Sequence, residues 1–369
     1  MRALQTDTTP QAAKTARVRW EEPILIHNYP VFEDTNRDSR VVSPGTYGSE
    51  YVRMLELKDG SFLCVYTFYD NNGYRLEVNG GTKLGFSLSR DQGRTWEQIS
   101  TLSHPSRDMD NGQLAFAENG DILLSCRSVR WHESYYLPLY RSGDGGRTWE
   151  FSSMIDETSG HPGALGNPDK GLYEPHLYRL ADGRLAVMYA NEKHVKRAPH
   201  YSQIISMKVS PDDGETWGEE IFVAWDPEKP YLRPGMPVWT RLRNGTYMVV
   251  FEVGDTSVKP EATFYIYYKT SQNGVHWEPG IGTRIPGQWG GPYLEELEDG
   301  RLLVSSNGGA VSLGTSDGTD WKVLQPEAFG SFTWSSLKAL SGNRFALFNS
   351  CAREEGGHNI QLRFGELEE

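Results

Sequence analysis

Two glutamates of this chain lie beside apolar or conformationally restricted residues, where an ionised carboxylate is costly. Glu252 follows the run Tyr247–Phe251, and Glu174 directly precedes Pro175. A carboxylate in apolar surroundings is paired or functional, because burying its charge alone is strongly unfavourable. Two carboxyl groups that face a common gap can hydrolyse a glycoside: one protonates the leaving oxygen, and the other attacks the anomeric carbon or activates water. The competing interpretation is that each glutamate ends a strand or pairs with an arginine such as Arg233.

Further polar and aromatic residues are suited to bind a sugar, because sugar hydroxyls need paired donors and acceptors while sugar C–H faces pack on rings. The candidate substrate-binding residues are Tyr173, Asp70, Asp110, Arg127, Asn191, Glu192, Arg233, Trp289, Trp334 and Arg353. For Asp70, Asp110 and Glu192, substrate binding, pairing with Arg127 or Arg130, and simple hydration stay open. The sequence has no His/Cys cluster with metal-ligand spacing, no Gly-rich phosphate loop and no Gly-x-Ser-x-Gly elbow, so we expect no metal and no cofactor.

An eight-residue motif, Ser-x-Asp-x-Gly-x-Thr-Trp, shows which elements position these side chains. It occurs at 89–96, 142–149 and 210–217. Two degenerate copies, 270–277 and 314–321, carry Gln272 and Ser316 at the Asp position. The Asp can accept backbone N–H groups of its own turn, Gly supplies a positive φ, and the Trp anchors the turn to a sheet. The motif therefore predicts a structural turn between two strands rather than a chemical site.

A second repeat alternates with the first and predicts the number of structural units. Asp-Gly or Asn-Gly between apolar strands is a strong hairpin signal. It occurs at 59–60, 119–120, 182–183, 244–245 and 299–300, and in looser form at 341–343. Each unit then contains two strands joined by the hairpin and two joined by the Trp-ending turn. Six such four-stranded units predict an all-β, six-bladed propeller.

The count of outer strands predicts how the ring closes. Only five tryptophans follow the turn motif, so the sixth outer strand must come from elsewhere. The stretch after Trp20 resembles the stretches after the motif, and we therefore predict that Val18–Ile26 completes blade six and removes an open sheet edge. We predict a disordered arm over residues 1–16 and a single propeller domain over residues 17–369.

Composition limits the classes of partner. The 369 residues carry a formal net charge of −12 with no basic block, which disfavours nucleic acid and anionic membranes as ligands. No apolar run approaches the roughly 18 residues of a membrane helix. Residues 1–16 lack the apolar centre of a signal peptide. We expect a monomer that is cytoplasmic if Met1 is the true start, or secreted if a signal was removed before it.

The repeated turn motif, the Asp box, makes the chain resemble the sialidase superfamily of six-bladed propellers over nearly its whole length. It is more similar to the exo-arabinanases of glycoside hydrolase family 93, through the segments 172–177, 190–194, 233–237 and 244–253. That resemblance implies Glu174 and Glu252 as the catalytic pair, a retaining mechanism, and release of arabinobiose from the end of α-1,5-arabinan. A retaining pair lies about 5–5.5 Å apart. Within it we assign Glu174 as nucleophile and Glu252 as acid/base.

Two other functions stay open. An exo-α-sialidase or related exo-glycosidase on the same fold would need three arginines converging in the channel. The arginines available for this role are Arg53, Arg127, Arg130, Arg233 and Arg353. A sialidase should also carry Arg-Ile-Pro at the first inner strand, where this chain has Tyr47–Tyr51. A non-catalytic glycan-binding propeller would leave Glu174 and Glu252 far apart or individually dispensable.

Overall fold

The computed structural model of the protein describes residues 17–27, 48–69, 82–130, 133–159, 171–195, 198–258, 263–308, 311–324, 332–352, 354 and 358–368. The predicted arm over residues 1–16 lies outside this part of the chain. The strands are β1 (Arg17–Trp20), β2 (Ile24–His27), β3 (Gly48–Glu56), β4 (Phe62–Tyr69), β5 (Thr82–Ser89), β6 (Glu97–Leu102), β7 (Asp108–Phe116), β8 (Ile122–Arg130), β9 (Ser134–Ser142), β10 (Glu150–Ser159), β11 (Leu172–Arg179), β12 (Leu185–Asn191), β13 (Ile204–Ser210), β14 (Ile221–Ala224), β15 (Leu232–Arg241), β16 (Tyr247–Asp255), β17 (Tyr265–Ser271), β18 (Thr283–Trp289), β19 (Tyr293–Glu296), β20 (Leu302–Ser305), β21 (Val311–Gly314), β22 (Trp321–Leu324), β23 (Phe332–Ala339), β24 (Arg344–Ala352) and β25 (His358–Glu368).

These strands form six antiparallel blades around a central channel, which confirms the predicted all-β, six-bladed propeller. Blades one to five are β3–β6, β7–β10, β11–β14, β15–β18 and β19–β22, and β23–β25 belong to blade six. A single parallel bridge between His358 and Gly48 joins blades six and one into one continuous sheet. Each predicted Asp-Gly or Asn-Gly hairpin connects the first two strands of its blade, and Gly60, with φ +83°, shows why glycine is needed there.

The N-terminal segment supplies the outer strand of blade six, as predicted. In β1, Val18 pairs with Leu367, and in β2, Ile24 pairs with Leu362, both antiparallel to β25. The strand is split in two around Pro23, which has no N–H to donate to a ladder. Trp20 packs edge-on against Phe345, with ring centroids 5.3 Å apart, in the place that the Asp-box tryptophans take in other blades.

The hydrophobic core consists of separate layers between neighbouring blades. Six clusters of buried side chains occur in the described residues, and each joins two adjacent blades. The largest joins blades three and four and contains Trp239 and Trp277. Because each sheet is covered on both faces by other blades, its strands are apolar on both sides, which accounts for the uninterrupted runs such as Leu185–Ala190.

The intact Asp boxes have the hydrogen bonds expected of a self-contained turn. Asp91 accepts from the Thr95 backbone N–H at 2.8 Å and from its hydroxyl at 2.6 Å, and the hydroxyl of Ser89 donates to Asp91 at 2.8 Å. The boxes that begin at 142 and 210 repeat this pattern.

The degenerate boxes differ from the sequence alignment by one position. Asn273 and Asp317 accept the hydrogen bonds of the turn, rather than Gln272 and Ser316 at the aligned position. The degenerate turn is one residue shorter than the intact one, because the backbone N–H of Gly274 donates to a serine three residues earlier rather than four.

On the innermost strand of each blade, or just before it in blade five, one residue adopts the left-handed conformation. Except in blade five, the pairing with the second strand shifts register beside this residue. The six residues, in blade order and with φ between +47° and +57°, are Tyr51, Asn111, Glu174, Met236, Gly291 and Trp334. Such a conformation is unfavourable for a residue with a side chain, and a bulge at the rim of a barrel or next to a site redirects that side chain. The six left-handed residues lie at equivalent positions around the channel.

Candidate active site

Glu174 occupies the bulge of β11, with φ +49°. One of its carboxylate oxygens accepts the backbone N–H of Met236, the bulge residue of the next blade, at 3.2 Å. Strain of this kind, about 1–2 kcal/mol for a non-glycine residue, persists when the surrounding structure enforces it and is typical of functional positions. Glu174 is therefore held by its own backbone and by the neighbouring blade.

Glu252 lies on β16, directly opposite Gly235 in the sheet. One of its oxygens accepts the backbone N–H of Gly291, the left-handed residue of blade five, at 2.7 Å. A side chain at position 235 would crowd the site, because its Cβ would lie 3.6 Å from Glu252 Oε1 and 2.9 Å from Gln203 Nε2. Since Met236 follows Gly235 and binds Glu174, the two carboxyl groups flank one peptide unit, at the same end of the channel.

Both glutamates have pKa values raised by their surroundings. Burial raises the pKa of Glu174 to about 7, and the negative charge of Glu252 adds to that rise. Burial also raises the pKa of Glu252, while the hydrogen bond from Gly291 and the charge of Arg233 oppose the rise. Both side chains are partly accessible to solvent at the channel mouth. Neighbouring carboxyls whose surroundings hold one of them protonated can take separate acid and nucleophile roles.

A cavity of about 640 Å³ opens beside Glu252 and extends across blades four to six. This volume is within the range of sites that bind small molecules. Its lining includes the aromatic residues Phe264, Tyr265, Trp289 and Trp334, with Asn307 as a polar member. Trp289 is 48% exposed and Tyr265 37% exposed, so their rings are available to a ligand.

Glycine and asparagine shape the far wall of this cavity. Asn307 Oδ1 accepts the backbone N–H of Trp334 at 2.6 Å, the same kind of bond that Glu252 makes to Gly291. A Cβ at Gly291 would lie 2.8 Å from Asn307 Oδ1 and 2.9 Å from Trp334 Cδ1. Glycine is favoured at this position by the close approach of these neighbours, because the equivalent positions of the other blades carry larger residues at a similar φ.

On the other side of Glu174, Arg127 and Arg233, which were predicted to bind substrate, each form an ion pair with a buried carboxylate. Arg127 donates to Asp110 at 2.5 Å, and Asp110 also accepts from Thr67 and from the Asn111 backbone. Arg233 donates two bonds to one oxygen of Glu192, at 2.9 and 3.1 Å. Burial works against the charge on Arg233, but Glu192 raises the pKa of Arg233 above its usual value.

Three predicted substrate-binding residues have side chains directed elsewhere. Tyr173 is buried behind Glu174, and its hydroxyl donates to Glu192 at 2.8 Å. Glu192 is fully buried between Tyr173 and Arg233. Asn191 is also fully buried and donates to Ser206 at 3.0 Å and to Glu220 at 2.5 Å, inside blade three. None of the three lines the cavity.

The remaining predicted residues divide into three groups. Trp289 and Trp334 line the cavity, as their proposed role as sugar platforms requires. Arg130 is exposed and pairs with Glu133 at 2.9 Å, away from the channel. Asp70 and Arg353 lie outside the described residues.

Phe264 and Tyr265 are not among the residues predicted from the sequence. Those candidates came from the start of the first strand and the end of the second strand in each blade. These two residues come just before and at the start of β17, the third strand, which reaches the same end of the blade because the strands alternate in direction. A search that included third-strand starts would have found them.

Metal-binding groups and membrane-spanning helices can be assessed for the part of the chain that the structure describes. Within it, no group of three or more His, Cys, Asp or Glu side chains is arranged to bind a metal ion. None of the described helical residues forms a helix with the length and apolar character that a membrane crossing needs.

Comparison with solved structures identifies the fold. The α-L-arabinanase of Penicillium chrysogenum, solved with arabinobiose, superimposes with a TM-score of 0.72 at 23% identity, over 93% of this chain and 98% of that one. The GH93 α-L-arabinofuranosidase of Fusarium graminearum, also with arabinobiose, gives 0.72 at 22%, over 94% and 98%. The chain has the propeller fold of these family 93 glycosidases.

More distant similarity extends to a sialidase. The NanB sialidase of Streptococcus pneumoniae gives a TM-score of 0.60 at 12% identity, over 90% of this chain and 69% of that one. The predicted resemblance to sialidase-superfamily propellers, with family 93 more similar, is thereby confirmed for the fold. No protein-family model matches the chain, and a search of curated proteins finds no match either.

Proposed function

We propose that this protein is a retaining, exo-acting glycoside hydrolase for α-1,5-arabinan or arabino-oligosaccharides, with Glu174 and Glu252 as its catalytic pair. The observation that carries the proposal is that both carboxyls flank the Gly235–Met236 peptide while burial and mutual repulsion hold the pKa of Glu174 near 7. The fold supports it, because the two family 93 structures were solved with arabinobiose.

The proposed reaction has two displacements. The ionised carboxylate attacks the anomeric carbon and forms a covalent ester, while the protonated carboxyl gives its proton to the leaving glycosidic oxygen. The second carboxyl, now ionised, then takes a proton from water as that water attacks the anomeric carbon and displaces the ester carboxylate. This releases the sugar with its original anomeric configuration and returns both carboxyls to their starting protonation states.

The charges of the unliganded site favour Glu252 as nucleophile and Glu174 as acid/base. Glu252 has the shorter hydrogen bond to a backbone N–H, 2.7 Å against 3.2 Å, and such bonds stabilise the ionised form. Glu174 keeps its proton up to about pH 7, as an acid must. This assignment is the reverse of the one proposed from the sequence, and the rescue experiment below distinguishes them.

The cavity beside Glu252 is the proposed binding site for the terminal sugars. Trp289 and Trp334 offer ring faces to the C–H surfaces of a sugar, and Thr263 and Asn307 are polar members of the described lining. A cavity of about 640 Å³ suits a short oligosaccharide end, in accord with exo action.

The arginines argue against sialic acid as the substrate. A sialate carboxylate needs unneutralised arginines, yet Arg127 and Arg233 are each paired with a buried carboxylate. Arg53, the third candidate near the channel, is 2% exposed, and its guanidinium stacks under the ring of Tyr51 at 4.0 Å. The non-catalytic alternative is disfavoured because a binding module has no need for two neighbouring carboxyls with raised pKa values.

The test is a substrate panel of linear α-1,5-arabinan, an aryl arabinobioside and an aryl sialoside. We expect activity on the two arabinosides, with kcat lowered at least a hundredfold in Glu174→Gln and in Glu252→Gln. Glu157→Gln, an exposed carboxylate on β10, is the matched control and should retain activity. Activity on the sialoside alone would refute the substrate, and full activity in both variants would refute the site.

Azide rescue assigns the two roles. With the aryl arabinobioside, azide should restore turnover in Glu252→Ala and yield a glycosyl azide of inverted configuration, since azide replaces the missing nucleophile. In Glu174→Ala it should yield a glycosyl azide of retained configuration, because azide then attacks the anomeric carbon of the glycosyl ester and displaces the carboxylate of Glu252. An inverted azide from Glu174→Ala and a retained azide from Glu252→Ala would instead support the assignment made from the sequence, with Glu174 as nucleophile.

A further inference from the structure

Below the two glutamates, the next layer of channel-facing residues contains a buried positive charge. On each innermost strand this layer lies two residues after the left-handed bulge, so one residue of each blade contributes to it. In blade order these residues are Arg53, Gln113, His176, Val238, Tyr293 and Ser336. No carboxylate belongs to the layer.

Arg53 is 2% exposed and extends across the channel. Its Nη1 donates to the backbone carbonyls of Val52 at 2.8 Å, Trp334 at 3.2 Å and Ser335 at 3.4 Å. Its Nη2 has no hydrogen-bond partner, and Arg53 makes no ion pair with any described residue. Arg53 is thus a buried cation whose only contacts are neutral, and burying such a charge without a counterion is strongly unfavourable.

His176 and Ser336 add further unsatisfied polar atoms to this layer. His176 is 7% exposed, and neither of its ring nitrogens has a partner. Burial and the charge of Arg53 lower the pKa of His176 to about 3, so the ring is neutral and offers one N–H. Ser336 is 1% exposed, and its hydroxyl is also unpaired.

Aromatic contacts bring these groups to the channel centre. The guanidinium carbon of Arg53 lies 5.2 Å from the ring centroid of Tyr293, and the His176 ring lies 6.3 Å from the same ring. Blades one, three and five therefore meet at Tyr293, while the bonds of Arg53 to residues 334 and 335 bring in blade six.

We propose that this layer binds one small monovalent anion, such as chloride, between Arg53 and His176. Three donors are available to it: the free Nη2 of Arg53, one ring N–H of His176 and the hydroxyl of Ser336. An anion would supply the missing counterion of Arg53 and satisfy these donors together. Water could accept the same hydrogen bonds but would leave the charge uncompensated, and a cation would be repelled by it.

This anion site is distinct from the proposed sugar site. The ring of Tyr51 stacks on the guanidinium of Arg53, at 4.0 Å, and Arg53 is not among the residues that line the cavity beside Glu252. The site is therefore testable without any substrate, and the result does not depend on the proposed activity.

The direct experiment is a crystal grown or soaked in bromide, with data collected at the bromine absorption edge. We expect one anomalous peak in the channel within hydrogen-bond distance of Arg53 Nη2. In solution, raising chloride to a hundredfold above its dissociation constant should raise the melting temperature by about 3 °C at constant ionic strength, with gluconate as the balancing anion.

Variants separate anion binding from general salt effects. Arg53→Gln should abolish both the bromide peak and the chloride-dependent shift, whereas Arg53→Lys keeps the charge and should retain a weakened response. Arg130→Gln, an exposed arginine on β8, is the control and should respond as the wild type does. A channel that contains only water in bromide, or a chloride shift unchanged in a folded Arg53→Gln protein, would overturn the proposal.

Discussion

Replacing Glu174 by glutamine should stabilise the protein above pH 7 and leave its stability unchanged at pH 4.5. The folded state holds the pKa of Glu174 near 7, against 4.5 for the free side chain, because of burial and the charge of Glu252. Below pH 4.5 the carboxyl is protonated in both states and has no effect. Between pH 4.5 and about 7 the folded protein keeps a proton that the unfolded chain has released, so wild-type stability falls as pH rises. Because glutamine carries no charge, the stability of the Glu174→Gln protein does not fall in this way as pH rises.

The size of the expected stabilisation follows from the pKa shift of Glu174. A pKa difference of about 2.5 units corresponds to about 3 kcal/mol. For 369 residues the entropy of unfolding is about 0.8 kcal/mol/K, so this amounts to about 4 °C in melting temperature. Solvent at the channel mouth screens part of the penalty, and we therefore expect a gain of about 2–4 °C at pH 8. Glutamine can still accept the backbone N–H of Met236, so that hydrogen bond is preserved.

The assay is calorimetric unfolding of wild type and Glu174→Gln at pH values from 4.5 to 8.5 and constant ionic strength. Glu157→Gln, an exposed residue, serves as the control and should follow the wild type throughout. Melting curves of Glu174→Gln that run parallel to the wild type across this range would refute the reasoning, because they would show that Glu174 is not held protonated by its surroundings.

Three further predictions concern ring closure and the cavity. Trp20→Ala should cost about 2–4 kcal/mol of unfolding free energy, because it removes the packing on Phe345 that closes the ring; an unmoved melting temperature would contradict this. Gly291→Ala should lower kcat/KM about tenfold, whereas Gly342→Ala, with φ +68° and no atom within 4 Å of its added Cβ, should cost only stability; equal activity losses in both would refute the steric argument. Trp289→Ala should raise KM about tenfold with little loss of stability, since the ring is 48% exposed, and an unchanged KM would exclude it as a sugar platform.

The fold was predictable because its repeats are local. An Asp-Gly turn between apolar strands forms a hairpin whatever surrounds it, and an intact Asp box satisfies its own hydrogen bonds. Counting the two repeats predicted six blades and an outer strand from the N-terminus. The degenerate boxes were aligned one position away from Asn273 and Asp317, because only the backbone shows that their turn is one residue shorter.

The site was predictable only in part. Glu174 and Glu252 were selected because a carboxylate at an apolar strand end is costly in any fold, and that cost is a property of the local sequence. The partners of Asn191 and Glu192 could not be inferred, because each lies at the end of a strand where the side chain can face the channel or the inside of the blade. Strand spacing alone does not distinguish these two directions.

The sequence by itself determined the repeat, the number of blades, the closing strand and the two acidic candidates, since all of these depend on residues close together in the chain. Only the tertiary structure decided that Glu174 sits on a left-handed bulge, that Arg127 and Arg233 are already neutralised, and that Arg53 is buried without a counterion. The physical reason is that bulges, ion pairs and pKa values in the channel arise from side chains of different blades, whose proximity depends on closing the whole ring.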